Sequence, residues 1–231
     1  LVIPPSNTLI VYSLASGGVS IAALFLAGYI PGILTGLLMM IVAMVWAKKN
    51  KYPVGKRSSL KEVFVKFIDA LPSLLLLVIV IGGIIGGVFT ATEASAVAVL
   101  YTVLLSFYYK ELSLKDLPKV ILESSQTTAI VMLLIGASMC MSWVLSYENI
   151  PQDISNALLS ISDNKIIILL MINLILLMVG VFMDATPAVL IFTPIFLPIV
   201  TALGMDPTHF GIVLMLNLCI GLCSPPVGSV L

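Results

Sequence analysis

The stretch Phe182-Met183-Asp184-Ala185-Thr186-Pro187-Ala188 decides how the chain is read. It sets a carboxylate, a hydroxyl and a proline between two apolar runs, residues 166–182 and 188–200. Each run is short for a bilayer crossing, which needs about 20 residues. The segment that follows, 201–209, carries no Lys or Arg. Two short runs around a polar break, with both ends on one side, predict a re-entrant hairpin whose tip lies near mid-membrane.

Composition agrees with a bilayer setting. Of 231 residues 60% are apolar and 10% charged, with a mean hydropathy of +1.20. A soluble domain carries about a quarter charged residues, so an ordinary globular enzyme, a disordered tail and a nucleic-acid binder are excluded. Lys plus Arg and Asp plus Glu number 11 each, which leaves no net field to draw an acidic partner. Cys140, Cys219 and Cys223 lie in apolar runs without CxxC or Cys/His spacing, so buried thiols are expected rather than disulfides or zinc. The opening Leu1-Val2-Ile3-Pro4-Pro5 and the close at Val230-Leu231 read as a piece of a longer membrane protein.

Working outward, residues 20–46 form a first full span that ends in Lys48, Lys49, Lys51, Lys56, Arg57, Lys61 and Lys66. The positive-inside rule places loop 48–66 in the cytoplasm. Residues 60–71 alternate charged and apolar side chains in the two-faced pattern of an interfacial helix. The block 72–109 would extend about 57 Å as one helix, nearly twice the hydrocarbon thickness, so it must fold into two. The turn falls at Phe89-Thr90-Ala91-Thr92-Glu93, where Thr90 and Glu93 have the spacing of a capping box. Residues 110–126 return to the cytoplasmic face, 127–147 cross again, and the acidic segment 148–164 lies outside.

Residues 210–222 give a half-length helix that runs into Cys223-Ser224-Pro225-Pro226-Val227-Gly228, and the chain starts with a similar device, Ile3-Pro4-Pro5-Ser6-Asn7-Thr8. Paired prolines inside an apolar segment force unwound backbone, whose carbonyls and amides need a partner at membrane depth. Carbonyls and hydroxyls suit a dehydrated Na⁺, and helix N-termini suit an anion. One cation site is expected from Thr186, Ser224 and Gly228 with backbone oxygens near Met183, and a second from Ser6 and Asn7 with carbonyls near Ile3 and Pro4. Asp184, Pro225, Pro226 and Asn217 are placed beside the cavity. Asp184 suits two roles, a charge facing that cavity and the N-cap of the next helix. His209 reads as interfacial. Gly82, Gly83, Gly86 and Gly87 have the spacing that lets helices pack closely. Ser138, Ser142 and Ser146 share a helix face, as a cavity lining or a hydrogen-bonded seam.

Taken with Gly87-Val88-Phe89-Thr90-Ala91-Thr92-Glu93-Ala94, Lys110-Glu111-Leu112-Ser113 and His209-Phe210-Gly211-Ile212-Val213, these segments resemble, in order, the large membrane subunit of the tripartite ATP-independent periplasmic (TRAP) transporters. The resemblance implies an all-α polytopic membrane protein, an inverted-repeat elevator transporter with a re-entrant hairpin and broken helices. It divides the chain into the end of a first-repeat broken helix (1–15), a transmembrane helix (16–47), a cytoplasmic loop and interfacial arm (48–71), scaffold-type helices with a second arm at 110–126 (72–147), an external segment (148–164) and the second-repeat hairpin and broken helix (165–231). It further implies Na⁺ coupling without another cofactor, and import of an organic acid of the sialic acid or C4-dicarboxylate class. A small membrane subunit, a periplasmic binding protein and a bacterial inner-membrane location follow from the same likeness. The family's first-repeat hairpin falls outside this chain, and Ala91 and Ser224 stand where Pro and Thr are common. A carboxylate transporter that needs no binding protein shares the broken-helix physics. An intramembrane hydrolase lacks its second carboxylate or a buried His beside a nucleophile.

Overall fold

A computed structural model describes residues 2–52, 59–162 and 164–224, and every regular element among them is a helix. In chain order they are α1 (Asn7–Ala15), α2 (Ile21–Lys49), α3 (Leu60–Ile85), α4 (Ala91–Tyr108), α5 (Leu117–Tyr147), α6 (Ile150–Ile161), α7 (Lys165–Phe182), α8 (Ala185–Ala202) and α9 (Pro207–Leu222). Six of the described helices, α2 to α5, α7 and α8, are long and apolar enough to cross a bilayer. The chain divides into two compact units, residues 30–123 and residues 1–29 with 124–231.

The unit of residues 30–123 is organised by the α3–α4 hairpin. Gly86 donates to the Gly82 carbonyl at 2.8 Å, Val88 donates to Gly83 at 2.9 Å, and Gly87 takes a left-handed φ of 70°. These bonds satisfy the last carbonyls of α3 and reverse the chain. The expected capping box then starts α4: the Thr90 N–H donates to Glu93 Oε2 at 2.8 Å and the Glu93 N–H to Thr90 Oγ1 at 3.3 Å. Lower in the hairpin the Tyr101 hydroxyl donates to the Pro72 carbonyl at 2.7 Å.

This changes the reading of the glycine cluster. Gly83, Gly86 and Gly87 build a turn rather than a helix–helix seam, and the Phe89 ring fills the space where a Gly83 side chain would stand. Residues 60–71, expected as an interfacial arm, are helical throughout. They continue through Pro72 into one 26-residue α3, because Pro72 removes a single backbone donor while the turns on either side stay bonded. Likewise the residues from Leu117 run unbroken into the span that ends at Tyr147, a helix of 31 residues and about 46 Å.

In the other unit, the acidic segment after α5 contains the helix α6, which turns Pro151 and Leu158 into the protein interior. The hairpin runs are longer than their apolar stretches suggest, since Lys165 at one end and Thr201 and Ala202 at the other join the helices. Helices α7 and α8 have 18 residues each, a crossing length of about 27 Å. The core gathers Leu9, Tyr12, Leu176, Val189, Leu214 and Leu218, all fully buried. Lipid tails are as apolar as these side chains, so van der Waals packing and interhelical hydrogen bonds hold such a core more than escape from water does.

Candidate functional site

The clearest packing feature is the seam between α7 and α9. Gly180 and Gly221 let the two backbones touch: a Cβ added at Gly180 would lie 3.1 Å from the Leu218 Cα and 3.2 Å from the Gly221 Cα. A Cβ at Gly221 would stand 2.5 Å from the Gly180 Cα. Two turns earlier in α7, Asn173 accepts from the side-chain amide of Asn217, which also donates to the Val213 carbonyl at 2.8 Å. Asn173 meets Asn217 and Gly180 meets Gly221, so the helices run parallel.

Parallel packing fixes where the breaks go. Met183 lies three residues beyond Gly180 and Ser224 three beyond Gly221, so the break after α7 and the break after α9 emerge side by side, each about 4.5 Å past the touching glycines. At the first, Met183 is extended and Asp184 caps α8, its Oδ1 accepting the Ala185 N–H at 2.8 Å. Pro187 occupies the third helical position of α8, where a missing donor costs little. Thr186 is half-buried and Asp184 exposed. At the second, the Ser224 hydroxyl donates to the Ile220 carbonyl at 3.0 Å. Pro225, Pro226 and Gly228 lie outside the described residues.

The opening break sits elsewhere. Ser6 caps α1 by accepting the Leu9 N–H at 3.4 Å, and its hydroxyl lies 3.0 Å from that of Thr8. Both hydroxyls and Pro4 are buried, while Asn7 is exposed. The Val2 carbonyl lies 2.5 Å from where a Gly28 Cβ would be, beside Ile212. Ile212 precedes Ser224 by 12 residues, or about 18 Å along α9. The Val2–Gly28 contact is therefore distant from the Ser224 end of α9.

Other residues singled out by sequence resolve individually. Asn217 lies in the seam with Asn173, 5% exposed and donating to Asn173 and to the Val213 carbonyl. Ser138 and Ser142 face a cleft of about 220 Å³ with Leu14, Gly17, Leu190 and Pro194. Asp206 caps α9, and bonds from Thr208 first and then His209 hold its carboxyl below the usual aspartate range. His209 is exposed there. Two features escaped sequence reading: Thr8, although it follows Ser6 by two residues, and Thr193, whose fully buried hydroxyl has no hydrogen-bond partner among the described residues. No group of His, Cys, Asp and Glu suited to a metal ion occurs among the described residues.

Six apolar spans, with helices as the regular elements among the described residues, define a multi-pass membrane protein. The family described as "Tripartite ATP-independent periplasmic transporter, DctM component" matches residues 1–231, and the chain belongs to it, as a TRAP transporter large-subunit sequence. It is 59% identical over its whole length to the uncharacterized protein YgiK of Salmonella typhimurium, covering 53% of that protein. It is 42% identical over 99% of its length to the C4-dicarboxylate TRAP transporter large permease protein DctM of Pseudomonas aeruginosa, covering 53% of it. With the sialic acid TRAP transporter large permease protein SiaM of Vibrio cholerae it shares 40% identity over 99% of its length and 54% of the relative's. The chain thus spans about half the length of the curated relatives it matches. The relatives DctM and SiaM are named as transporter permeases, a non-enzymatic family.

Proposed function

We propose that this chain forms part of a sodium-coupled secondary importer of an organic acid, of the sialic acid or C4-dicarboxylate class named for its relatives. It works in the bacterial inner membrane by an elevator mechanism, with a small membrane subunit and a periplasmic binding protein that delivers the substrate. The observation that carries the proposal is the parallel α7–α9 seam, because it leads both breaks out at one level. Backbone oxygens near Met183 and the Thr186 and Ser224 hydroxyls are the hard oxygen ligands we assign to Na⁺ there. Ser6 and Asn7, with carbonyls near Ile3 and Pro4, supply the other site.

The mechanism follows from the cost of unwound backbone at membrane depth. An unwound carbonyl without a donor costs several kcal/mol in a medium without water, because the hydrogen bonds it would make to solvent are lost and nothing replaces them. A bound cation removes that cost, orders the break and offsets the charge of a carboxylate substrate, so the loaded state is the one that moves. Asp184, at the hairpin tip, adds a charge whose cost is tolerable only beside a cavity or a cation.

The test is uptake of labelled sialic acid and succinate into proteoliposomes that hold the full-length protein, its small subunit and its binding protein. An inward sodium gradient should drive uptake of one of them and an equal potassium gradient should not. Uptake indifferent to sodium overturns the ion assignment, and uptake undiminished without the binding protein overturns the tripartite one. Asp184→Ala should abolish uptake with expression and assembly intact; a variant that only loses stability would leave Asp184 a helix cap.

A further inference from the structure

We infer that Tyr12 is a positioning residue, whose hydroxyl sets the depth of the opening break against the first turn of α9 and so links the two proposed cation sites. This rests on the sodium-coupled reading above. Tyr12 is fully buried six residues after the cap Ser6, about 9 Å along α1. Its hydroxyl donates to the carbonyl of Pro207, the first residue of α9, at 2.6 Å. One turn further along α9, Gly211 leaves room for the ring: a Cβ there would lie 2.5 Å from Tyr12 Cε1 and 2.9 Å from both Cδ1 and Cζ. Phe210 closes the other side, its ring centroid 6.5 Å away at 58°.

Packing alone would be served by Phe. A buried phenol needs an acceptor, and sliding or rotating α1 by part of a turn would take the hydroxyl out of reach of Pro207. Tyr12 therefore selects one register of α1 on α9. Ile212, next along α9, has its Cδ1 3.8 Å from where a Gly28 Cβ would stand, and the Val2 carbonyl closes on the same point. The opening segment is thus set against Gly28 of α2 before the break and tied by the Tyr12 bond after it, and α9, which takes that bond, carries Ser224 at its far end. Displacing one break must either move α9 or open the Tyr12 bond.

The inference is tested on the full-length protein with its subunits, comparing wild type, Tyr12→Phe and Gly211→Ala, whose added methyl displaces the ring while keeping the hydroxyl. Amide hydrogen exchange should quicken about tenfold over residues 2–9 in both variants, and stay unchanged across the Asn173–Asn217 seam. Sodium half-saturation of uptake should rise by up to about tenfold with the maximal rate retained. Exchange unchanged over residues 2–9, or quickened equally over all helices, would overturn the positioning role, the latter making Tyr12 part of the general core. If wild-type uptake ignores sodium, the sodium-coupled reading fails by itself, and the exchange comparison still decides for or against the brace.

Discussion

Glycine does opposite things in the two units. In the α7–α9 seam Gly180 and Gly221 bring two backbones into contact, each filling the place where the other's side chain would be. In the α3–α4 hairpin Gly86 and Gly87 end a helix and turn the chain, and Gly82 has nothing within 4 Å of where its Cβ would stand. By spacing alone the second group looks the better packing motif. Close approach, however, needs one small residue on each helix, facing across, and no spacing within a single helix reveals that. Burial follows the same divide: half of the apolar window of α8 is buried and none of that of α3, so the α3 side chains must meet lipid or another protein.

The sharpest way to break the comparison is Gly221→Val. The new side chain meets the Gly180 backbone, which has no flexible end to yield, so the helices must separate. Overpacking of this kind costs about 3 kcal/mol or more, and thermal unfolding of the detergent-solubilised full-length protein should show a large loss or no folded protein at all. A variant that melts like wild type would mean that the seam is not closed as described.

Next in size is Asn217→Ala. It removes the amide bonded to Asn173 and Val213 and leaves the Asn173 carbonyl oxygen without that donor, at a cost of about 1–2 kcal/mol. Adding Asn173→Ala to it should recover part of the loss, because the pair is then removed together. If the two losses simply add, the Asn–Asn bond contributes nothing. Uptake gives the contrasting readout, since a residue of the seam should change stability before it changes sodium dependence.

Much of this was legible in the sequence, and what was not has definite causes. The hairpin break at Met183-Asp184, the Asp184 cap and the Thr90–Glu93 box could be found because each depends on neighbours within a turn of the chain. The continuity of α3 through Pro72 is hidden in the sequence by the change from the charged, two-faced pattern of residues 60–71 to the apolar run that follows, while the flanking turns suffice to carry the helix on. Helix α6 rests on the apolar Ile150, Ile154, Leu158 and Ile161 at helical spacing, a pattern obscured in the sequence by the acidic residues that mark this segment as external. The Asn173–Asn217 bond joins residues 44 apart and Tyr12–Pro207 joins residues 195 apart, so no local pattern announces either. The expected pairing of the Met183 break with the Ser224 end of α9 has its physical basis in the parallel sense of α7 and α9, which no local pattern shows.

The smallest expected effect sharpens the comparison from the other side. Gly82 lies in the last turn of α3, where nothing occupies the space a methyl would enter, and its carbonyl already accepts from Gly86. Ala loses less backbone freedom on folding than Gly and suits a helix better, so Gly82→Ala should be neutral or stabilise by up to about 1 kcal/mol. The same melting assay reads it. A destabilised variant would require a neighbour to stand against Gly82 in the assembled protein, and would make the face of α3 that carries it a packed surface after all. An unchanged or raised melting point keeps the distinction: in this chain a glycine matters for packing where a second backbone faces it, however regular the spacing around it.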